Sequence, residues 1–249
     1  HRFTGTGSSN AQTYPETTAM QPDLVWFKNE DDGSGPGTYG TNHAWIDSVR
    51  GVQKYIESNE QTASTTDANS LTAFGSDGFT VGSLDKCNQS GSEIISYNFK
   101  AGTTSGIAGS PSITPSGYSF NATSGFSIIA WTGTGVAGTL PHGLGVKPTC
   151  IMVKKLNGAT NWMVYHVGST VSSGGTDPQT DYLNLNDNGS TADNDTIWND
   201  TAPTTDLFSV GNNDDVNGNT NTYIAYVFAD VKGHQKFGRY YGNGSYQIC

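Results

Sequence analysis

Residues 125–155, GFSIIAWTGTGVAGTLPHGLGVKPTCIMVKK, decide how the chain is read. They predict a strand over 126–131, a Thr-Gly-Thr-Gly turn, a crossing punctuated by glycine and proline, and a second strand over 149–154. Near the N-terminus FTGTG at 3–7 is followed, after a crossing of similar length, by PDLVWFKN at 22–29. The chain is therefore expected to be written twice. Six anchors in one order carry that expectation: Thr4 with Thr132, Pro22 with Pro148, Trp45 with Trp162, Tyr55 with Tyr182, Phe79 with Phe208 and Tyr97 with Tyr226. YYGNG at 240–244 stands where WTGTG stood and predicts the opening of a third copy. The period is that of a small domain, well beyond the roughly 20–50 residues of a solenoid repeat. The expected division is a first unit over 1–102, a connector rich in Gly, Ser, Thr and Pro over 103–124, a second unit over 125–234, and the start of a third over 235–249.

The composition agrees with a strand-built chain. Of 249 residues 34% are hydrophobic and 11% aromatic, enough for a sizeable core, while 32 glycines and only 14% charged residues favour turns over helices. The formal net charge of −10 repels phosphate backbones, so nucleic acid and anionic membrane are poor partners. No apolar run is long enough to span a bilayer, so membrane insertion is not expected. No secretory signal is visible, and the chain reads as the ordered part of a longer polypeptide. Cys87, Cys150 and Cys249 fall at non-equivalent positions, which argues for free thiols over a disulfide framework or zinc site.

In order, strands are expected at 22–28, 44–49, 55–58, 70–74, 78–82 and 94–100, then at 126–131, 149–154, 162–166, 182–186, 207–210 and 222–229, with no convincing helix. Residues 22–28 place Leu24 and Trp26 on one side and Val25 and Phe27 on the other, the mark of a central strand covered on both faces. In 94–100 the set Ile95, Tyr97, Phe99 is expected to face the core. Tyr118 to Phe120, or Ile113, can lend one edge strand to the connector. Short strands at near-regular spacing give the fold class: all-β, an antiparallel β-sandwich built from an internal repeat.

Candidate chemistry is sparse. Five glutamates (Glu16, Glu30, Glu57, Glu60, Glu93) all lie in the first half, and none forms the paired-carboxylate strand motif that glycan cleavage needs. The five histidines lack metal-ligand spacing; His142, in PHGLG, reads as a turn imidazole pinning backbone groups across the crossing. No nucleophile elbow or phosphate-binding loop is present. Asp215, Asn217 and Asn219 alternate as calcium ligands would, but without the glycine and the distal carboxylate of a calcium loop, so an Asn/Asp turn is the plainer reading. Trp26, Trp45, Trp131, Trp162 and Trp198 could stack on sugars, but Trp45, Trp131 and Trp162 recur at matching places and read as core bulk. Trp198, in IWNDTAPTTD, is expected in a loop as a contact for a partner. Asp31 and Asp32, in the glycine-rich excursion over 30–41, are the other candidate contacts.

The segments PDLVWFKN, HAWIDSVRG, TDANSLTAFGSDGFTVGS and SEIISYNFKAG, with GFSIIAWTGTG, HGLGVKPTCIMVKK, NWMVYH, WNDTAPTTDLFSVG and NTYIAYVFADVKG, resemble a repeated domain of structural proteins from tailed, chiefly marine, bacteriophages. That family is similar to concanavalin A-like (laminin G-like) sandwiches, with a jelly-roll form. The resemblance implies a non-enzymatic virion component on the particle surface: a tail fibre, appendage or capsid decoration. It implies contact with itself as a homo-oligomer, for example a trimer, with other virion proteins, and with bacterial surface glycan. No cofactor is expected. A secreted carbohydrate-binding module, and after it a sandwich-fold glycan hydrolase, are the alternatives.

Overall fold

A computed structural model of the chain describes residues 1–30, 42–170, 177–240 and 244. Strands in the first half are β1 (Arg2–Thr4), β2 (Asn10–Thr13), β3 (Leu24–Asn29), β4 (Ala44–Asp47), β5 (Lys54–Glu57), β6 (Thr65–Thr66), β7 (Leu71–Gly75), β8 (Gly78–Val81) and β9 (Glu93–Phe99), with a one-turn helix α1 (Asp85–Asn88) before the last. The second half holds β10 (Gly117–Asn121), β11 (Phe126–Thr132), β12 (Gly138–Pro141), β13 (Cys150–Lys155), β14 (Met163–His166), β15 (Asp181–Asn184), β16 (Ala192–Asp193), helix α2 (Asp195–Trp198), β17 (Leu207–Val210) and β18 (Thr222–Phe228).

All pairings between these strands are antiparallel, and the described residues form four sheets. A six-stranded sheet runs β1-β9-β3-β4-β5-β6, and a seven-stranded sheet runs β10-β11-β18-β13-β14-β15-β16. A three-stranded sheet β2-β8-β7 and a two-stranded sheet β12-β17 lie outside them. Three apolar cores tie the layers together. Phe3, Val25, Phe27, Ile46 and Ile94 pack with Phe79 and Val81 between the three-stranded and six-stranded sheets. Leu24, Trp45 and Ile56 meet Phe126, Ile128, Trp162, Ile224 and Tyr226 between the two large sheets. Ile129, Trp131, Ile151, Tyr165 and Tyr223 pack with Leu140, Phe208 and the α2 residues Ile197 and Trp198 on the far side.

This layering explains the sequence pattern. Along β18, Tyr223, Ala225 and Val227 enter the outer core while Ile224, Tyr226 and Phe228 enter the middle one, so TYIAYVF is apolar without alternation. β3 behaves likewise, as its two apolar faces predict. β9 corrects one expectation. Ile94 and Ser96 are the buried pair, and Tyr97 is 47% exposed, because the middle core closes beside Phe99 and does not extend under Tyr97.

The two large sheets share a strand order once β10 is set aside, and residues at matching places make matching bonds. The Asn88 amide accepts from Thr6 N (2.9 Å) and donates to the carbonyls of Ser8 and Gly82 (2.5 and 2.6 Å). The Asn217 amide accepts from Thr134 N (3.0 Å) and donates to the carbonyls of Val136 and Gly211 (2.7 and 3.0 Å). Both asparagines are fully buried and staple the Thr-Gly-Thr-Gly turns. The turn glycines are required there: a Cβ on Gly5 would lie 2.0 Å from the Gln89 carbonyl oxygen and one on Gly133 2.2 Å from that of Gly218. One anchor is displaced. Trp45 pairs with Trp26 whereas Met152 pairs with Val164, so Val164 holds the place expected for Trp162, which lies just before β14. Sequence reading also missed β2 and β12, whose polar or glycine-rich strands look like crossings, and the helices α1 and α2, too short to show a period. Tyr118 to Phe120 does form the expected edge strand, β10.

Polar bonds cross the middle core. The Trp162 indole N–H donates to the Glu57 carbonyl (2.9 Å), and the Tyr226 hydroxyl donates to Asp47 Oδ2 (2.8 Å), which also holds Arg50 Nε at 2.5 Å. Lys154 Nζ, fully buried, donates to the carbonyls of Gln61 (2.8 Å) and Thr160 (2.5 Å).

Candidate functional site

Where the large sheets part at one rim, they leave a cleft of about 540 Å³. The six-stranded sheet contributes Trp26 from β3, Trp45 from β4 and Phe99 from β9; the other sheet contributes Met152 from β13 and Phe228 from β18. Leu185 and the segment carrying Gln235, Lys236 and Phe237 complete the wall with His43, Ser58 and Asn59. The register sets Trp26 directly opposite both Trp45 and Tyr97, which places three rings in a row. Their centroids are 5.2 Å (Trp26 to Trp45) and 4.9 Å (Trp26 to Tyr97) apart. Phe228 stacks between Phe99 at 5.7 Å and Phe237 at 5.3 Å.

The polar groups of the cleft are few and defined. Trp26 Nε1–H donates to His43 Nδ1 (3.0 Å), which fixes the neutral imidazole with its proton on Nε2. Burial, then the charge of nearby Lys28, lowers the His43 pKa and keeps the ring neutral at pH 7. Trp45 is 2% exposed, and its indole N–H has no acceptor. Among the described residues no carboxylate lines the cleft, although the chain carries 22 acidic residues. Leu185, 39% exposed, lines it, while Tyr97, 47% exposed, lies outside the lining with its ring against Trp26.

The residues singled out in the sequence do not meet at this site. Trp198 is corrected from an exposed loop to the core: it lies on α2, 2% exposed, with its ring edge-on to Tyr165 at 6.2 Å, and cannot reach a partner. Asn217 is unable to serve as a calcium ligand, since its amide is consumed by the turn it staples, and Asn219 points to solvent from a different part of the loop. Asp214 instead pairs with Lys155 at 2.7 Å. Among the described residues no cluster of three His, Cys, Asp or Glu side chains is placed to hold a metal. Asp31, Asp32 and Cys249 lie outside the described residues; Cys87 and Cys150 are buried free thiols. The glutamates serve as counter-ions: Arg2 bonds Glu30 (2.6 Å) and Glu93 (3.4 Å), and Lys86 bonds Glu57 (2.7 Å). His142 takes the role its turn suggests, Nδ1 accepting from Leu144 N (3.2 Å) and Nε2 meeting the Thr204 carbonyl (3.3 Å).

Residues 1–248 match the family model described as a domain of unknown function, DUF7483. The chain belongs to that family. No curated protein and no solved structure matches this DUF7483 chain. Among its described residues no helix is long and apolar enough to cross a membrane. The sequence does not bring this cleft together, because Tyr97 is expected to face the core and nothing in the pattern pairs it with Trp26. The signal was there in part: two large aromatics on neighbouring strands, one of them followed by polar Asn98.

Proposed function

We propose that this protein is a non-enzymatic structural component of a tailed-bacteriophage virion, displayed on the particle surface as a homo-oligomer and contacting other virion proteins or host-surface glycan. Its body is an internal duplication of a concanavalin A-like sandwich unit. The duplication is supported by the matching sheet orders and by the paired Asn88 and Asn217 staples. The virion reading rests on the sequence resemblance. One structural observation favours a passive role: the buried charged groups hold the framework. Asp47 engages Arg50 and Tyr226, Glu57 engages Lys86, and Asp23 accepts from Ala101 N at 2.9 Å. Carboxylates buried and bonded in this way are committed to holding the framework.

Mass spectrometry of purified particles tests the proposal. Peptides of this chain should co-purify with intact virions through a density gradient; their presence in lysate but absence from particles refutes it. A secreted carbohydrate-binding module is the second reading, favoured by the aromatic cleft between the sheets.

A further inference from the structure

We propose that the cleft between the two large sheets is a carbohydrate site that takes a pyranose residue of a surface polysaccharide on the Trp26–Tyr97 platform. This deepens the glycan-contact part of the proposed function and relocates it, from polar loops to an aromatic surface. A pyranose has one face of C–H bonds and a rim of hydroxyls. It is held where ring faces meet the first and a few directional polar groups meet the second.

The cleft offers both. Tyr97 is 47% exposed and stacks 4.9 Å from Trp26, which is half-buried, so an aromatic surface faces solvent without collapsing into the core. Trp26 cannot swing away to bury itself, because its indole N–H is tied to His43 Nδ1 and its ring lies against Trp45. That bond also leaves the His43 Nε2–H as a donor with no partner among the described residues. The Trp45 indole N–H also lacks an acceptor, but the atom is fully buried and stays out of a ligand's reach, so Trp45 contributes only its ring to the wall. A free His43 N–H beside an exposed aromatic face suits a ligand that joins a C–H face to hydroxyl oxygens.

Charge narrows the ligand further. The protein is strongly acidic, yet among the described residues no carboxylate lines the cleft, and its one ammonium, Lys236, is exposed and paired with Asp230 at 3.5 Å. The site therefore suits neutral sugars better than acidic ones. Copies on an oligomer raise the affinity of a single weak site by avidity.

The test titrates the full chain with methyl pyranosides of glucose, galactose, mannose, N-acetylglucosamine and glucuronic acid, followed by saturation-transfer NMR and tryptophan fluorescence. At least one sugar should receive saturation and shift the fluorescence. Tyr97→Ala, at a half-exposed position, should fold with an unchanged unfolding transition and lose affinity at least tenfold, while Val136→Ala, an exposed side chain on the Thr-Gly-Thr-Gly turn, should bind as wild type. The inference is overturned if no pyranoside binds. It is overturned equally if Tyr97→Ala binds as wild type, or if an apolar peptide competes for the cleft and the sugars do not. Sugar binding by a chain absent from virions would refute the particle reading alone, and a virion chain that binds no sugar would refute this one alone.

Discussion

Lowering the pH should cost this protein stability through one buried imidazole. His142 is fully buried at the end of β12, where Nδ1 accepts from Leu144 N and Nε2–H donates to the Thr204 carbonyl. Protonating Nδ1 would break the first bond and bury a charge. Burial pushes the pKa down to about 4, against small opposing effects from the Thr204 carbonyl and Asp206. In the unfolded chain the ring titrates near ~6.5. The folded state therefore binds fewer protons across this interval. The contribution of His142 is fully present above ~6.5 and is lost as the pH falls toward 4. Linkage gives a loss of roughly 2 kcal/mol at pH 5 and roughly 3 kcal/mol at pH 4, relative to pH 7.5. The assay is urea unfolding of wild type and His142→Gln at pH 7.5, 6 and 5. The variant should be less stable at pH 7.5 but flatter with pH, the two curves converging by roughly 2 kcal/mol at pH 5. His43 and His166, whose pKa values burial also lowers, are present in both proteins and cancel in the difference. Curves that stay parallel, or an NMR titration of His142 with a midpoint near ~6.5, would refute the reasoning.

Three further outcomes are expected. Asn88→Ala and Asn217→Ala each strip three backbone groups of their partner and should destabilise by about 2–4 kcal/mol, similarly to one another, in denaturant melts; a loss below about 1 kcal/mol in either would contradict the stapling role. Asp47→Asn leaves Arg50 buried without its counter-ion and should cost about 3–5 kcal/mol, with Tyr226→Phe costing far less, as read by thermal unfolding. In a Cys249→Ser protein, Cys87 and Cys150 should resist a thiol reagent in the folded state at pH 8 and react on denaturation, since burial raises both thiols, Cys150 to about 12; rapid native labelling would show those positions to be open.

The strand-built body was legible because its largest strands are covered on both faces. β3, β11, β13 and β18 are continuous apolar runs, and such runs at short length between glycine and asparagine turns leave little room for helix. What the period could not show was which face of each run meets which layer. Ile94 and Tyr97 were assigned to the wrong sides because alternation separates two faces without ordering them. Trp198 was misplaced for a related reason. It sits in a polar stretch, yet the one-turn helix α2, capped by Asn194 accepting from Thr196 N, turns Ile197 and Trp198 inward. The cleft was invisible for a third reason: it is formed by residues far apart in the chain, at a place where two sheets diverge, and divergence is a property of the assembled layers.

The middle core decides how far the two halves can act separately. It takes Leu24, Trp45 and Ile56 from the first half and Phe126, Ile128, Trp162, Ile224 and Tyr226 from the second, and it is threaded by the Trp162–Glu57, Tyr226–Asp47 and Lys154–Gln61 bonds. Either large sheet alone would present its share of this surface to water, and the buried Lys154 ammonium would lose the Gln61 carbonyl that solvates it. The two halves are thus bound as one body, and the cleft lies where that union is incomplete at one rim. Trp45 takes part in both. Its ring meets Trp162 at 5.3 Å and Tyr226 at 4.9 Å in the core and lines the cleft with Trp26. A ligand drawn to the platform therefore touches the side chain that joins the sheets, and its binding is coupled to the stability of the junction itself.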